Sequence, residues 1–369
     1  MDGINNSEDS NKVDHLVPES GPGENAANFS AKAQKQEFLG GGGPESEWSM
    51  GVRKSVEVNG RKWEYLEYGN PEGKPLLNIH GWLGSSAEGQ NHLSRAFTGE
   101  LQNSKGFKEV SDFHDAGRTD NLVHRLIENK LKALEGKYHV IAPDLPGFGN
   151  TQALDKASLD NLADEIAAFQ KAIGLEKSRV FGSSMGGILA VKLAARHPEA
   201  IEAIVLQGTM TQPKDMQKIP YLAAQVATLA PLPNILEKTG LDKKLFESIV
   251  KGSKDFKMAD KETQDRVLRD TYAADSETSA KTLREIGRDI AGDIEGTKCP
   301  VIVIDGANGD LVPIKKSSEV ANRFDQTPEK RAMFFPVGGG VTEQGHNLVN
   351  TYPEYVAIVV DSALSKLSP

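Results

Sequence analysis

The sequence predicts an α/β protein with a mostly parallel central sheet, helices on both faces and a helical insertion. Three observations carry this. Asn59-Gly60 separates two stretches of alternating polarity, the pattern of a β-hairpin. Short apolar runs then alternate with helix-like segments. Residues 211–297 are helical in pattern, with no convincing strand between the strands on either side.

The elements follow in order. Ser55–Val58 and Lys62–Tyr68 form the hairpin. Leu76–Ile79 is a short buried strand running into His80-Gly81-Trp82. Further strands are expected at Tyr138–Ala142, Arg179–Phe181, Ile201–Leu206, Val301–Ile304 and Arg331–Phe335. Ser158 is placed to cap a helix whose apolar face is Leu159, Leu162, Ala163, Ile166 and Ile173. Met185–Arg196 and residues 351–367 read as helices. Residues 85–120 carry little periodicity and many Gly, Ser, Asn and Asp, and read as a long loop. Residues 1–48 are polar and nearly free of aromatics, so they are expected to be a disordered extension, closed by Gly40-Gly41-Gly42-Gly43-Pro44. The expected organisation is 1–48 as extension, 49–210 as the first part of the core, 211–297 as a lid, and 298–369 as the second part of the core.

Composition narrows the function classes. The chain has 369 residues, a net charge of −9 and 26 % charged residues. An acidic balance argues against nucleic acid as the main partner. No apolar run reaches the ~20 residues of a membrane span. Met1–Ser10 is polar and acidic, without the basic start and apolar stretch of a secretory signal. The single cysteine, Cys299, has no internal partner and reads as a small buried residue before a strand. A cytoplasmic location is the expectation.

Gly182-Ser183-Ser184-Met185-Gly186-Gly187 follows a strand and precedes a helix, the context that gives G-x-S-x-G its meaning. A sharp turn there presents Ser184 as a nucleophile, and the glycines let the backbone close in around it. His80-Gly81-Trp82 follows another strand. Its loop is placed to supply an oxyanion donor, the Trp82 amide, alongside the amide of Met185. His80 is expected to hold this loop by hydrogen bonds; as a base it competes poorly with a C-terminal histidine. After the strand at 301–304, Asp305-Gly306-Ala307-Asn308-Gly309-Asp310 supplies a carboxylate to orient an imidazole. Asp310 is favoured over Asp305 because it lies beyond the turn and before Val312-Pro313. His346, in Gly345-His346-Asn347, follows the last strand and Gly338-Gly339-Gly340 and is the expected general base. The order Ser184, Asp310, His346 matches that of a nucleophile-elbow hydrolase. Trp82, Tyr221 and Leu229 are candidate substrate contacts; the last two belong to an apolar face that also includes Leu222, Val226 and Leu232. Packing of that face onto the main domain is the alternative. No His/Cys spacing suggests a metal, and no phosphate-binding fingerprint or cofactor motif is present.

With these residues in place, the region from about 52 to 367 resembles the α/β-hydrolase superfamily. The resemblance is to its lid-bearing branch, with esterases, lipases, iminopeptidases, carbon–carbon hydrolases and cofactor-free haloperoxidases. Asp144-Leu145-Pro146-Gly147-Phe148-Gly149 resembles the family's turn after its fourth strand, and Ala195-Arg196-His197-Pro198-Glu199 the end of its elbow helix. The chain departs from the family in two places. The acid loop has one residue more than the usual G-x-x-D, and the 85–120 stretch is longer than typical. The resemblance implies an α/β-hydrolase fold and hydrolysis of a small carboxylic ester through an acyl-enzyme, without a cofactor. Its rivals are carbon–carbon hydrolysis of a diketone and a non-catalytic receptor or scaffold on the same fold.

Overall fold

The hairpin forms as the Asn59-Gly60 dipeptide requires. Both residues are left-handed, at φ 51° and 73°, which matches the twist of the strands on either side. The strands are β1 (Val52–Val58) and β2 (Arg61–Gly69), antiparallel with Val58 opposite Arg61. The protein is seen in a computed structural model that describes residues 51–87, 89–117, 120–215, 241–253, 256–257, 259, 261–286, 288–306, 314–335 and 348–367.

The chain continues through β3 (Lys74–Ile79), α1 (Gly89–Phe97), α2 (Lys105–Asp115), α3 (Leu122–Lys132) and β4 (Tyr138–Pro143). Then come α4 (Leu159–Ala172), β5 (Ser178–Ser183), α5 (Met185–Arg196) and β6 (Ile201–Gln207). Between β6 and β7 (Val301–Gly306) lies an insertion. Its described residues include α6 (Leu241–Gly252), α7 (Lys261–Ala273), α8 (Ser276–Glu285) and α9 (Ala291–Gly296). The chain ends with α10 (Ile314–Asn322), β8 (Lys330–Phe335), α11 (Leu348–Thr351) and α12 (Pro353–Leu364). The sheet order is β1-β2-β4-β3-β5-β6-β7-β8. β2 runs antiparallel to β1 and β4, and every other pairing is parallel.

Successive side chains of a strand point to opposite faces, and both faces of this sheet are apolar. Leu77, Ile79, Ile204, Leu206, Val301 and Val303 belong to one core, shared with Leu162, Ile166, Leu189 and Leu193 of α4 and α5. Leu76, Ala203, Val205, Ile302 and Ile304 belong to the other, with Leu93 and Phe97 of α1, Leu131 of α3, and Val356 and Val360 of α12. Ser158 caps α4 by accepting a hydrogen bond from the Asn161 N–H at 3.1 Å. Its position was readable from the serine before the apolar face.

The expected loop at 85–120 is corrected: it holds α1 and α2. The cause lies in several of its polar residues, which are buried rather than solvated. Ser94, Thr98 and Ser111 are at most 5 % exposed. Asn78 donates to Ser94 Oγ at 3.0 Å, and the Ser104 hydroxyl caps α2 through the Phe107 N–H at 3.1 Å. Ser104 is itself held by buried Glu354 of α12, which accepts from the Ser104 N–H at 3.0 Å and from its hydroxyl at 2.5 Å. Polar residues satisfied inside the protein erase the apolar periodicity that identifies a helix. The expected single C-terminal helix is two, α11 and α12, with Pro353 opening the second. Among the described residues no helix is long and apolar enough to cross a membrane.

Candidate active site

β5 ends at Ser183 and α5 begins at Met185, so a single residue makes the turn. That residue, Ser184, has φ 54° and ψ −115°. Such a backbone costs a non-glycine residue about 1–3 kcal/mol and persists only where its surroundings enforce it. The Ser184 N–H donates to the Gln207 carbonyl at the end of β6 at 2.7 Å. The Ser184 carbonyl accepts from Gly187 at 3.0 Å and Ile188 at 3.3 Å. Packing completes the enforcement. A Cβ at Gly182 would lie 2.3 Å from the Gly186 carbonyl oxygen. One at Gly186 would lie 2.3 Å from the carbonyl oxygen of Ile79, the last residue of β3. Ser184 is the only residue from Ser178 to Val191 that is not buried. The turn therefore lifts one hydroxyl out of the core at the carboxyl edge of the sheet. Met185 opens α5, and its N–H belongs to the first turn, which has no intrahelical acceptor.

The loop after β3 abuts this turn. A Cβ at Gly81 would lie 3.4 Å from both Ser184 Cβ and the Ser183 carbonyl oxygen. Gly84 donates to the Gly81 carbonyl at 3.2 Å, closing a tight turn around half-buried Trp82 and buried Leu83. Leu83 has φ 61°, a second strained non-glycine residue beside Ser184. No sequence signal marked it, because leucine is not a turn residue.

His80 is fully buried. Its Nε2 accepts from the Leu145 N–H at 3.1 Å, so Nδ1 carries the proton and donates to the Gly81 carbonyl at 2.8 Å. Both nitrogens are occupied in holding the loop, as expected, and neither is free to act as a base. Burial keeps the imidazole below its ordinary pKa, against the raising effects of the Gly81 carbonyl and Asp144.

Asp144, also fully buried, braces the same loop from the core. It accepts from the Ser86 N–H at 2.7 Å and the Asn150 N–H at 2.9 Å, and Arg53 approaches at 3.5 Å. Gly149, at φ 55°, lets the chain wrap this carboxylate; a Cβ there would meet Asp144 Cγ at 2.3 Å. The Asp144–Gly149 segment resembles a family turn, but only the fold shows that Asp144 grips the loop after β3.

Asp305 lies within β7, 3 % exposed, and accepts from the Gly208 N–H at 2.9 Å. Burial pushes its carboxyl up to about 7, against lowering by Ser317, the Gly208 N–H and Gln207. Burial of this carboxyl inside a strand favours its neutral form. Asp310, His346, Tyr221 and Leu229 lie outside the described residues. Of the expected site residues, the structure brings Ser184, Met185 and the Trp82 loop together at one edge. Among the described residues no three His, Cys, Asp or Glu side chains are grouped to hold a metal.

The insertion reaches the same edge. Trp82 Nε1–H donates to the Ser279 carbonyl at 3.0 Å, and its ring meets Phe246 edge-on at 5.5 Å. The Asp275 N–H donates to the Gly147 carbonyl at 2.7 Å. At its base, the Asp215 carboxylate accepts from Arg323 at 2.5 and 2.7 Å and from the Thr211 N–H at 2.9 Å. Burial raises the Asp215 pKa, but Arg323 and Thr211 outweigh it and hold the carboxyl below its ordinary range.

Comparison with known proteins agrees with this architecture. The family described as "alpha/beta hydrolase fold" matches residues 74–339, more than half of the chain. Lipase 3 of Moraxella sp. (strain TA144) is 30 % identical over 167 residues, 44 % of this chain and 41 % of that protein. The 2-hydroxymuconate semialdehyde hydrolase of Pseudomonas putida is 38 % identical over 73 residues, 19 % of this chain and 26 % of that protein. The chain thus spans less than half the length of either curated relative. The crystal structure of carboxylesterase CesB (YbfK) from Bacillus subtilis superposes with a TM-score of 0.62 at 16 % identity, covering 93 % of this chain and 100 % of that one. At that identity the likeness speaks to fold. With the eight-stranded sheet, the strained serine turn and the family match agreeing, the chain belongs to the α/β-hydrolase fold family.

Proposed function

We propose that this chain is a serine hydrolase that cleaves a small-molecule carboxylic ester through an acyl-enzyme. The observation that carries the reading is Ser184 itself, at φ 54° and lifted from a buried turn beside the loop that holds Gly81. Strain at one hydroxyl raised out of the core, between a strand end and a helix N-terminus, is what a nucleophile needs and a packing residue does not. Ester hydrolysis draws further support from the similarity to Lipase 3.

In this reading His346 takes the Ser184 proton as Oγ attacks the ester carbonyl. The amides of Trp82 and Met185 receive the oxyanion, and Asp310 stabilises the imidazolium. Collapse of the tetrahedral species expels the alcohol, which takes the proton from His346. Water, deprotonated by His346, then attacks the acyl-enzyme and releases the acid and Ser184. The insertion acts as a lid, with Trp82, Tyr221 and Leu229 contacting the acyl group.

The test is labelling by a fluorophosphonate, together with turnover on acyl esters of increasing chain length. The wild type is expected to label and to turn over. Ser184→Ala should do neither while keeping its fold, since loss of a triad member costs about 10⁴- to 10⁶-fold in kcat. A folded Ser184→Ala that still labels or turns over overturns the reading.

A further inference from the structure

We infer that the insertion between β6 and β7 positions the oxyanion loop, with Asp270 of α7 acting through Ser85 as a positioning residue. The inference rests on the proposed reading of Ser184 as nucleophile and the Trp82 amide as an oxyanion donor.

The loop from Gly81 to Ala87 is gripped from two sides. On the core side, His80 bridges Leu145 and Gly81, and Asp144 accepts the Ser86 N–H at 2.7 Å. On the insertion side, the Ser85 hydroxyl donates to Asp270 Oδ2 at 2.9 Å while accepting from the Ala87 N–H at 3.2 Å. Ser85 is 3 % exposed, so its link to Asp270 is shielded from competing water. Trp82 Nε1–H reaches the Ser279 carbonyl of α8 at 3.0 Å. One turn before Asp270, Arg266 donates to His92 Nε2 at 2.9 Å, on the helix that follows the loop. Arg266 and Asp270 are four residues apart, hence on one face of α7, and that face meets Ser85 and His92.

This arrangement matters because the loop contains Leu83 at φ 61°. A strained residue holds only where its neighbours over-determine it. Core contacts fix the loop's ends, at His80 and Ser86. The stretch between them, which contains the Trp82 amide, is held by bonds to α7 and α8 together with the burial of Leu83 in the core. A Cβ added at Gly81 would stand 3.4 Å from Ser184 Cβ, so the loop lies close enough to the nucleophile that a small shift changes the donor's aim at a developing oxyanion. The insertion would therefore govern the rate of acyl transfer as well as which acyl chain is admitted.

The experiment compares Asp270→Ala, Ser85→Ala, their double variant and Asp270→Asn with the wild type. It measures kcat and KM on p-nitrophenyl acyl esters, and the rate constant of fluorophosphonate labelling. Asp270→Ala and Ser85→Ala should each lower kcat and the labelling rate about tenfold, with KM within about twofold, the pattern of a contact that matters in the transition state. The double variant should be no slower than the slower single, because the Ser85–Asp270 link is already lost in each. Asp270→Asn keeps an acceptor for the Ser85 hydroxyl and should recover most of the rate. Multiplicative losses in the double variant overturn the inference, as do rates within about twofold of wild type in both single variants. A loss confined to KM with re-ranked chain lengths also overturns it, since that is the mark of a specificity surface. Should Asp270→Ala fail to fold by circular dichroism, a folded Ser85→Ala labelled at the wild-type rate is decisive against it. Labelling that persists in Ser184→Ala overturns the nucleophile reading. Labelling lost there but unchanged in the Asp270 and Ser85 variants overturns only the positioning role.

Discussion

The Leu145 N–H donates to His80 Nε2 across 3.1 Å, tying the turn after β4 to the turn after β3. A protonated ring has no lone pair to receive that bond, so the fold selects a neutral His80. With a folded pKa below the ordinary 6.5, its contribution to stability is complete above about pH 6.5 and is lost as pH falls through the depressed folded value. The melting temperature should fall between pH 7.5 and 5, and His80→Gln should flatten that part of the curve. Wild type and variant keeping parallel melting curves over that range would show that His80 does not titrate as proposed.

The elbow glycines make a steric prediction. Cβ atoms at Gly182 or Gly186 would stand 2.3 Å from backbone carbonyl oxygens, which cannot swing away as a side chain would. Gly182→Ala and Gly186→Ala should each destabilise by about 1–3 kcal/mol and disturb Ser184. At Gly292 of α9 an added methyl would meet nothing within 4 Å, and the backbone is not left-handed, so Gly292→Ala should stabilise by about 0.4–1 kcal/mol. Urea denaturation of the three variants gives the contrast; equal effects would remove the steric argument.

At the base of the insertion, Asp215 is fully buried and takes both ends of the Arg323 guanidinium. Removing one partner strands the other. Arg323→Ala should cost about 3 kcal/mol, the low end for a buried pair because Arg323 keeps some exposure. The Asp215 pKa is lowered, so its contribution is present above its ordinary 3.8 and is lost as pH falls through the folded value. The difference in unfolding free energy between wild type and Arg323→Ala should shrink toward pH 3; a constant difference would mean that the carboxylate's charge is not what counts.

Asp305 and Asp310 are the two candidate acids. Asp305 is inside β7 with its pKa raised to about 7, so folding favours its neutral form, and ionisation opposes stability as pH rises through that value. Asp305→Asn keeps an acceptor for the Gly208 N–H and should raise the melting temperature at pH 8 but not near pH 4, with turnover largely kept. Asp310→Asn should cripple turnover by about 10⁴-fold if Asp310 orients the base. The reverse ranking of activities, with both variants folded, assigns the acid to Asp305.

Much of the fold could be read from local patterns. All eight strands stand where alternating polarity or apolar runs placed them, and the Asn59-Gly60 hairpin and the Ser158 cap follow from backbone chemistry that needs no distant partner. The helices at 89–115 could not be read that way. Their buried serines and threonines look like loop residues until partners such as Asn78 and Glu354 arrive from 16 and 250 residues away.

The site divides along the same line. Sequence alone determined Ser184 as the residue of interest, because a one-residue turn between strand and helix needs glycines at two fixed offsets, and those offsets are local. It likewise determined that His80 would serve the loop and that Asp144 opens a turn. Tertiary structure decided which loop Asp144 grips, that Leu83 is held left-handed, that Asp305 is sealed within a strand, and that Asp270 and Ser279 reach the loop beside the nucleophile. Each of these depends on contacts between segments whose meeting is set by sheet order and by the placing of the insertion. Burial and pairing across such separations change a residue's strain and charge without leaving any mark on its immediate neighbours in the chain.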